Sequence, residues 1–203
     1  DKITSTETFE TTGAVQFDGS GDSLSTSESG FTNIASTDAF TVEAFVYFND
    51  LSNYDTIFAS SDGSFTTGGF KLEIYQSKLR VQANSFDSSD YNSGATTLST
   101  GRWYHIAFSR TSDGIAYIFL DGVLDFSGSG AFEVTWPKSV RIGAKANNSE
   151  YLDGFVSNLR FCYKKALYTS NFKPPMRELE ITPETVLLAC QSKTDATLEK
   201  TGK

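Results

Sequence analysis

The only histidine of the chain, His105, lies in the stretch RWYHIAFSR, where it could act as a general base. General-base catalysis needs a nucleophile or an acidic partner at a defined position beside the imidazole. The sequence signals neither, and the strict alternation of side-chain types from Trp103 to Arg110 is typical of a β-strand. We therefore interpret His105 as part of the scaffold and predict no catalytic residue.

Acidic side chains are the second candidates for chemistry, because glycosidases place two carboxylates on either side of the bond that they cleave. Glu43 and Glu73 are each flanked by apolar residues on predicted strands, whereas Asp50 and Asp55 fall in a predicted loop. No strand carries the acid-x-acid-x-x-acid run of glycosidases that are built on β-sandwiches. We predict that the protein is not an enzyme, and a glycoside hydrolase is the least favoured alternative.

Metal binding is the third chemistry that the sequence could support. Asp18 and Asp22, in DGSGD, offer oxygen ligands of the kind that Ca²⁺ prefers. The stretch lacks the ligand spacing and the bidentate Glu of an EF-hand loop, and Asp-Gly and Ser-Gly are also ordinary turn residues. We predict no cofactor and assign no metal ligand, and we keep calcium as the alternative.

Carbohydrate binding is the chemistry that the loops favour, because sugars stack on exposed aromatic rings while Asn and Asp side chains bond their hydroxyls. The candidate residues are Tyr54, Asp55, Phe65, Tyr91, Asn92, Trp136, Asn148 and Tyr151. The alternative is that several of these side chains cover a sheet. For Trp136, which precedes Pro137, packing is the favoured interpretation.

The elements that must position these residues have the pattern of an all-β protein. The chain has 16 Gly, only 4 Pro and 14% aromatic residues, and about a dozen short alternating segments follow one another. Asp113-Gly114 and Asp121-Gly122 predict tight turns between three antiparallel strands. We predict a two-sheet antiparallel jelly-roll sandwich with at most one or two short helical turns, for which YKKALYTS is the best candidate.

We divide the chain into an N-terminal arm (1–12), a jelly-roll domain (13–192) and a polar C-terminal tail (193–203). The arm, DKITSTETFETT, has two large apolar residues, Ile3 and Phe9. We expect these two residues to make assembly contacts with neighbouring subunits or with a particle. The tail is charged and polar, and we expect it to be solvated.

The charge and the cysteines exclude several classes of protein. The 17 basic and 25 acidic residues give a formal charge of −8, which disfavours nucleic acid as a partner. No apolar run is long enough to span a bilayer, so we predict no membrane insertion. Cys162 and Cys190 lie in apolar strand patterns and are expected to be buried, reduced thiols, with a disulfide between neighbouring strands as the alternative.

Seven segments follow one another in a recognisable order: AVQFDGSGDSLS, FTVEAFVYF, GGFKLEIY, RWYHIAFSR, YIFLDGVL, VRIGAK and LDGFVSNLRF. Together they resemble the laminin-G-like, concanavalin-A-like jelly-roll family, which pentraxins and many lectins also resemble. The resemblance extends over residues 13–192 and implies the same two-sheet fold.

The C-terminal stretch SNLRFCYKKALYTSNFKPP, followed by VLLACQS, resembles the matching part of such domains in bacteriophage structural proteins. That resemblance implies a non-enzymatic virion protein at the particle surface, present in many copies or as a homo-oligomer. Its expected partners are other virion proteins and a glycan of the host surface. No coiled-coil or β-helical shaft is indicated, which favours capsid decoration over a tail fibre, and a free carbohydrate-binding lectin is the alternative.

Overall fold

A computed structural model describes most of the chain. The described residues are 13–26, 31, 33–51, 54–60, 69–84, 91–130, 134, 140–145 and 147–201, with Asn84 and Tyr91 described by their backbone alone. The arm with Ile3 and Phe9 lies outside this part, as do Phe65 and Trp136. Within it, no helix is long and apolar enough to cross a membrane.

The described residues form thirteen β-strands, and their order along the chain agrees with the alternating segments of the sequence. They are β1 (Val15–Asp18), β2 (Leu24–Ser25), β3 (Phe40–Phe48), β4 (Asp55–Ser60), β5 (Gly69–Tyr75), β6 (Lys78–Asn84), β7 (Tyr91–Ser93), β8 (Trp103–Arg110), β9 (Ile115–Leu120), β10 (Val123–Ser129), β11 (Val140–Ile142), β12 (Asp153–Tyr163) and β13 (Thr185–Ala189).

The strands pair into two antiparallel sheets, which confirms the predicted sandwich. The seven-stranded sheet has the order β1-β12-β3-β8-β9-β10, and β13 pairs with β12 beside β1. The six-stranded sheet has the order β2-β11-β4-β5-β6-β7. Every strand pair within the two sheets is antiparallel. Because successive side chains of a β-strand point to opposite faces, each strand presents alternate side chains to the core and to the outer face.

The core is filled from both sheets by large apolar side chains. On β5, Phe70, Leu72 and Ile74 alternate toward the interior and are fully buried. The Phe70 ring packs edge-on against Phe40, with ring centroids 5.4 Å apart, and lies 5.6 Å from the ring of Phe108. These rings pack between the two sheets and hold the layers together. Removing a buried aromatic ring costs about 3 to 5 kcal/mol.

Residues 164–182, which we call the strap, cross the outer face of the seven-stranded sheet. YKKALYTS, the best candidate for a helical turn, forms no helix, because the backbone of the strap bonds to side chains of the sheet instead. The amide of Leu167 donates to Thr41 Oγ1 at 2.9 Å, and the amide of Tyr168 donates to Ser109 Oγ at 3.3 Å. These bonds satisfy backbone groups that a helix would have paired internally.

A glycine turn holds the middle of the strap. The Asp121-Gly122 turn between β9 and β10 has positive φ at both residues, as the sequence predicts. The Gly122 carbonyl accepts a hydrogen bond from the Phe172 amide at 2.9 Å. A Cβ on Gly122 would lie 2.1 Å from the Phe172 carbonyl oxygen, so only glycine allows the strap to come this close.

The tail (193–203) was expected to be solvated, and its residues 193–198 are exposed, but residues 199–201 lie along β13. The Lys200 amide donates to the Leu188 carbonyl at 3.0 Å, and the Thr201 hydroxyl donates to the Val186 carbonyl at 2.8 Å. The backbone groups on the free side of β13 provide these partners, which explains why a polar sequence packs here.

Both cysteines are free and buried, which confirms the prediction of buried thiols. Burial raises the pKa of Cys190 to about 12 and also raises the pKa of Cys162. Because the thiolate is the reactive form, both side chains are expected to be inert in the folded protein.

Candidate functional site

Each sheet carries a cluster of ionised side chains on its outer face. On the seven-stranded sheet, the centre of the cluster is Glu43 of β3. Arg160 donates through Nε to Glu43 Oε1 at 2.8 Å, and the hydroxyl of Tyr168 donates to Oε2 at 2.8 Å. His105 Nε2 lies 3.1 Å from the same Oε2. We call these four residues the sealed cluster.

The sealed cluster corrects the expectation that His105 has no acidic partner. β3 and β8 pair so that Phe45 lies opposite His105, which brings Glu43 within reach although it is 62 residues away along the chain. Glu43 is therefore not an isolated carboxylate. Burial alone would raise the pKa of Glu43. The hydrogen bond from His105 and the charge of Arg160 outweigh burial and hold this pKa below its usual value.

The strap covers Glu43 and His105 of the sealed cluster. The rings of Tyr168 and Phe172 are stacked with centroids 3.6 Å apart, and the Phe172 ring meets the His105 ring edge-on at 5.6 Å. Glu43 is 0% exposed and His105 is 2% exposed. A carboxylate and an imidazole that are closed off in this way have no room for a substrate, which supports the interpretation of His105 as scaffold.

As far as the described residues show it, the outer face of the six-stranded sheet is open and forms a groove of about 620 Å³. Side chains of β5 and β6 form its floor, and neighbouring loops and β7 form its sides. The lining residues are Tyr54, Lys71, Tyr75, Gln76, Lys78, Arg80, Gln82, Ser93, Gly94 and Glu150.

Two tyrosines form an aromatic platform in this groove. Tyr54, just before β4, and Tyr75, at the end of β5, have ring centroids 4.9 Å apart, and Tyr54 is 42% exposed. The guanidinium carbon of Arg80 lies 3.9 Å from the centroid of the Tyr75 ring, a cation–π contact that fixes the ring. The hydrogen bond with Tyr75, together with burial, raises the pKa of Tyr54, so its hydroxyl stays protonated.

The floor of the groove is a network of ion pairs. Lys71 Nζ lies 2.6 Å from Glu73 Oε2 and 2.6 Å from Glu150 Oε2, and Arg80 Nη2 lies 2.6 Å from Glu73 Oε1. Lys145 Nζ lies 3.1 Å from Glu150 Oε1. Burial raises the pKa of Glu150, but Lys71 and Lys145 outweigh burial and hold this pKa below its usual value. The floor therefore presents fixed charges.

The structure brings one residue of the predicted carbohydrate set, Tyr54, into the groove. Tyr91 begins β7, the strand that borders the groove, but its side chain lies outside the described part. Asn148 is exposed in the turn after β11, and Tyr151 is half-buried just before β12. Neither of these two lines the groove, although their neighbour Glu150 does.

Asp55 and Asn92 were predicted to be loop residues, and that placement is wrong. Asp55 is the first residue of β4 and is 1% exposed, and Asn92 lies within β7 and is 5% exposed. In register they face Ile74 and Val81, two core residues, so their side chains share the core side of the sheet. Side chains that face the core cannot meet a ligand in the groove, and we leave both out of the site.

The sequence analysis missed most of the groove because its residues come from different strands. One signal was available in the segments KLEIY and KLRVQ, where each polar or aromatic residue alternates with an apolar one. The outward positions of β5 are Lys71, Glu73 and Tyr75, and Arg80 faces Glu73 across the strand pair. An outer face that carries several charged side chains beside a tyrosine differs from an ordinary solvent-exposed face.

The DGSGD segment forms a turn in the structure. The Asp18 carboxylate accepts a hydrogen bond from the Ser20 amide at 2.8 Å, and Gly19 and Gly21 have positive φ. Among the described residues, no three His, Cys, Asp or Glu side chains come together in a way that could hold a metal ion.

Comparison with known proteins defines the class. The family model of the Concanavalin A-like lectin/glucanases superfamily matches residues 18–170. The chain therefore belongs to this superfamily. A search of curated proteins gives no match.

Solved structures with the same fold have low sequence identity to this chain. A Bacteroides ovatus protein to which carbohydrate binding has been ascribed superposes with a TM-score of 0.67 at 17% identity, over 90% of this chain and 52% of its own length. This chain thus spans about half of that protein. The heptameric SAP-like pentraxin of Limulus polyphemus has a TM-score of 0.59 at 17% identity, over 76% of this chain and 77% of its own. Domain 4 of an extracellular arabinanase from Geobacillus stearothermophilus, in complex with arabinotriose, has a TM-score of 0.52 at 19% identity, over 80% of this chain and 96% of its own.

Proposed function

We propose that the protein is a non-enzymatic carbohydrate-binding domain and that the groove on the six-stranded sheet holds the sugar. The observation that carries this proposal is the Tyr54–Tyr75 platform, with ring centroids 4.9 Å apart, beside a charged floor in an open volume of about 620 Å³. A sugar ring stacks on an aromatic face, and its hydroxyls take hydrogen bonds from fixed polar groups. Gln76, which is exposed, and Lys78, which is half-buried, line the groove and are placed to supply such bonds.

The solved structures support the class of ligand, because one is a protein to which carbohydrate binding is ascribed and another holds arabinotriose. The electrostatics of Glu150, a carboxylate that lines the groove, favour binding over catalysis. A glycosidase needs one carboxyl group that is protonated at working pH, which requires a raised pKa. The pKa of Glu150 is instead lowered by Lys71 and Lys145, so Glu150 is unsuited to act as the acid.

The test is to measure binding of a panel of oligosaccharides to Tyr54→Ala and Tyr75→Ala by calorimetry. Each substitution is expected to weaken binding at least about tenfold, which corresponds to about 1.4 kcal/mol. Tyr117→Ala is the matched control, because Tyr117 is a half-buried tyrosine on β9, in the other sheet. Unchanged affinity in both groove variants, with the fold intact, would refute the assignment of the site.

We further propose that the domain is displayed in many copies on the surface of a bacteriophage particle, with a host glycan as its ligand. The support is the resemblance of SNLRFCYKKALYTSNFKPP to bacteriophage structural proteins. Deleting residues 1–12, which removes Ile3 and Phe9, should reduce incorporation into particles while the melting temperature of the isolated domain barely changes. Normal incorporation of the protein that lacks the arm would show that the arm makes no contact needed for assembly.

A further inference from the structure

The groove carries the opposite charge to the rest of the chain. Its lining and floor contain four cations and two carboxylates, namely Lys71, Lys78, Arg80, Lys145, Glu73 and Glu150. The whole chain has 17 basic and 25 acidic residues, so 13 basic and 23 acidic residues remain outside the groove. A positive site in an acidic protein focuses the electrostatic field and attracts anions to that one surface.

Lys78 is the cation of the groove whose charge is not paired with a carboxylate among the described residues. In the β5–β6 hairpin it lies opposite Tyr75, so its side chain is on the same face as the tyrosine ring. It lines the groove and is half-buried, and no ion pair to it occurs among the described residues. By contrast, Lys71 and Lys145 each contact the carboxylate of Glu150.

The aromatic platform and the cations are close enough to act on one ligand. The centroid of the Tyr54 ring is 5.7 Å from Lys71 Nζ and 5.8 Å from the guanidinium carbon of Arg80. Lys71 is 1% exposed and Arg80 is 7% exposed, so a sugar ring stacked on Tyr54 is affected by these two cations mainly through their charge. A negatively charged substituent gains there an attraction that a hydroxyl does not have.

From this geometry we infer that the groove selects saccharides that carry a carboxylate, such as chains of uronic acid or glycans that end in a sialic acid. The inference rests on the proposed carbohydrate-binding function and specifies its ligand class. The ring of the acidic sugar lies on the tyrosine platform, and its carboxylate meets the positive end of the groove at Arg80 and Lys78. Neutral sugars keep the stacking contact and lose the charge–charge attraction.

The test uses pairs of ligands that differ in the carboxylate. Trigalacturonate is compared with its methyl ester, and sialyllactose with its methyl ester, by calorimetry at low and high salt. In at least one pair, the acidic member is expected to bind about tenfold more tightly at about 50 mM NaCl, and the advantage should shrink at about 500 mM because salt screens charge.

Variants separate the charge contribution from the stacking contribution. Lys78→Gln keeps the length of the side chain and is expected to reduce the affinity for the acidic member several-fold without changing that for the neutral one. Lys193→Gln, at an exposed site of the tail, changes the net charge equally and should leave both affinities unchanged. Tyr54→Ala should weaken binding of both members.

The two proposals fail in different ways. If each neutral member binds the wild-type protein as tightly as its acidic counterpart, the preference for carboxylates is overturned while the carbohydrate site stands. If neither pair nor the wider panel binds, the carbohydrate-binding function itself is refuted, and the inference falls with it.

Discussion

The outer faces of the two sheets use the same residue pair for different purposes. In the sealed cluster, Arg160 bonds to Glu43, and in the groove, Arg80 bonds to Glu73. Both glutamates are completely buried. The two glutamates differ in what lies over them. The strap lies over Glu43, whereas the open groove of about 620 Å³ lies on the side of Glu73. The two ionic clusters of this chain therefore differ in their cover, and only the cluster of the six-stranded sheet borders an open groove.

The strap does more than exclude water, because it also completes the hydrogen bonding of the sealed cluster. Glu43 accepts from Arg160 and from the hydroxyl of Tyr168, a strap residue. A buried charge is tolerated only when its partners replace the lost hydration, and a cluster with several partners meets that condition. Burial and the negative charge of Glu43 both raise the pKa of Tyr168, so its hydroxyl remains a donor.

The largest expected effect comes from breaking the sealed cluster with Glu43→Gln. Removing one member of a buried ion pair leaves Arg160 without its counter-charge, and such changes cost about 3 to 5 kcal/mol. Urea denaturation measures the loss in the free energy of unfolding. Glu180→Gln, at an exposed strap position, is the control and should change stability by less than about 0.5 kcal/mol. Equal stability of Glu43→Gln and wild type would contradict the structural role.

The second effect is a loss of stability in acid that depends on Glu43. Its pKa in the folded protein lies below the ordinary value of 4.5, so as the pH falls the unfolded chain takes up the proton first. The stabilisation is therefore complete above the ordinary value and is lost as the pH falls through the folded pKa. Unfolding curves from about pH 6 to pH 3 should show a shallower pH dependence for Glu43→Gln than for wild type. An unchanged slope would mean that another carboxylate is responsible.

A smaller effect is expected from Tyr168→Phe, which removes the hydrogen bond from the strap and keeps the ring stacked on Phe172. A hydrogen bond to a charged group contributes about 1.5 to 3 kcal/mol, so the loss should fall in that range. Sugar binding in the groove should not change, because the strap lies on the other sheet. A parallel loss of binding would show that the two faces are coupled.

The smallest change in stability is expected from a substitution in the groove. Tyr54 is 42% exposed, so Tyr54→Ala should lower the free energy of unfolding by less than about 1 kcal/mol. The same variant is the one expected to lose sugar binding. If Tyr54→Ala destabilised the protein as much as Glu43→Gln, the contrast between a structural face and a binding face would not hold.

The sequence predicted the strands well where one face is apolar. The expected strands 103–110 and 115–120 coincide with β8 and β9, because alternation with period two and the Asp-Gly turn leave little freedom. The strap was predicted poorly, since its conformation depends on the side chains of Thr41 and Ser109, which lie far away along the chain.

The candidate site could be predicted only in part, because it depends on strand register. Tyr54 was found as an aromatic residue in a loop, but Tyr75 reaches it only through the pairing of β4 with β5, and Arg80 only through the pairing of β5 with β6. Register also explains the misplacement of Asp55 and Asn92, whose polar side chains suggested loops and whose pairing places them on the core side. Local composition carries no information of this kind.

The tail that follows β13 has a consequence for the behaviour of the protein in concentrated solution. An uncovered strand at the margin of a sheet recruits strands from other molecules, and that recruitment leads to precipitates and fibrils. By engaging the Leu188 carbonyl through Lys200, the tail occupies a position that a second molecule would otherwise take. Trimming the chain after Gln191 to obtain a more compact sample for crystallisation would therefore expose this margin and make the sample prone to aggregation.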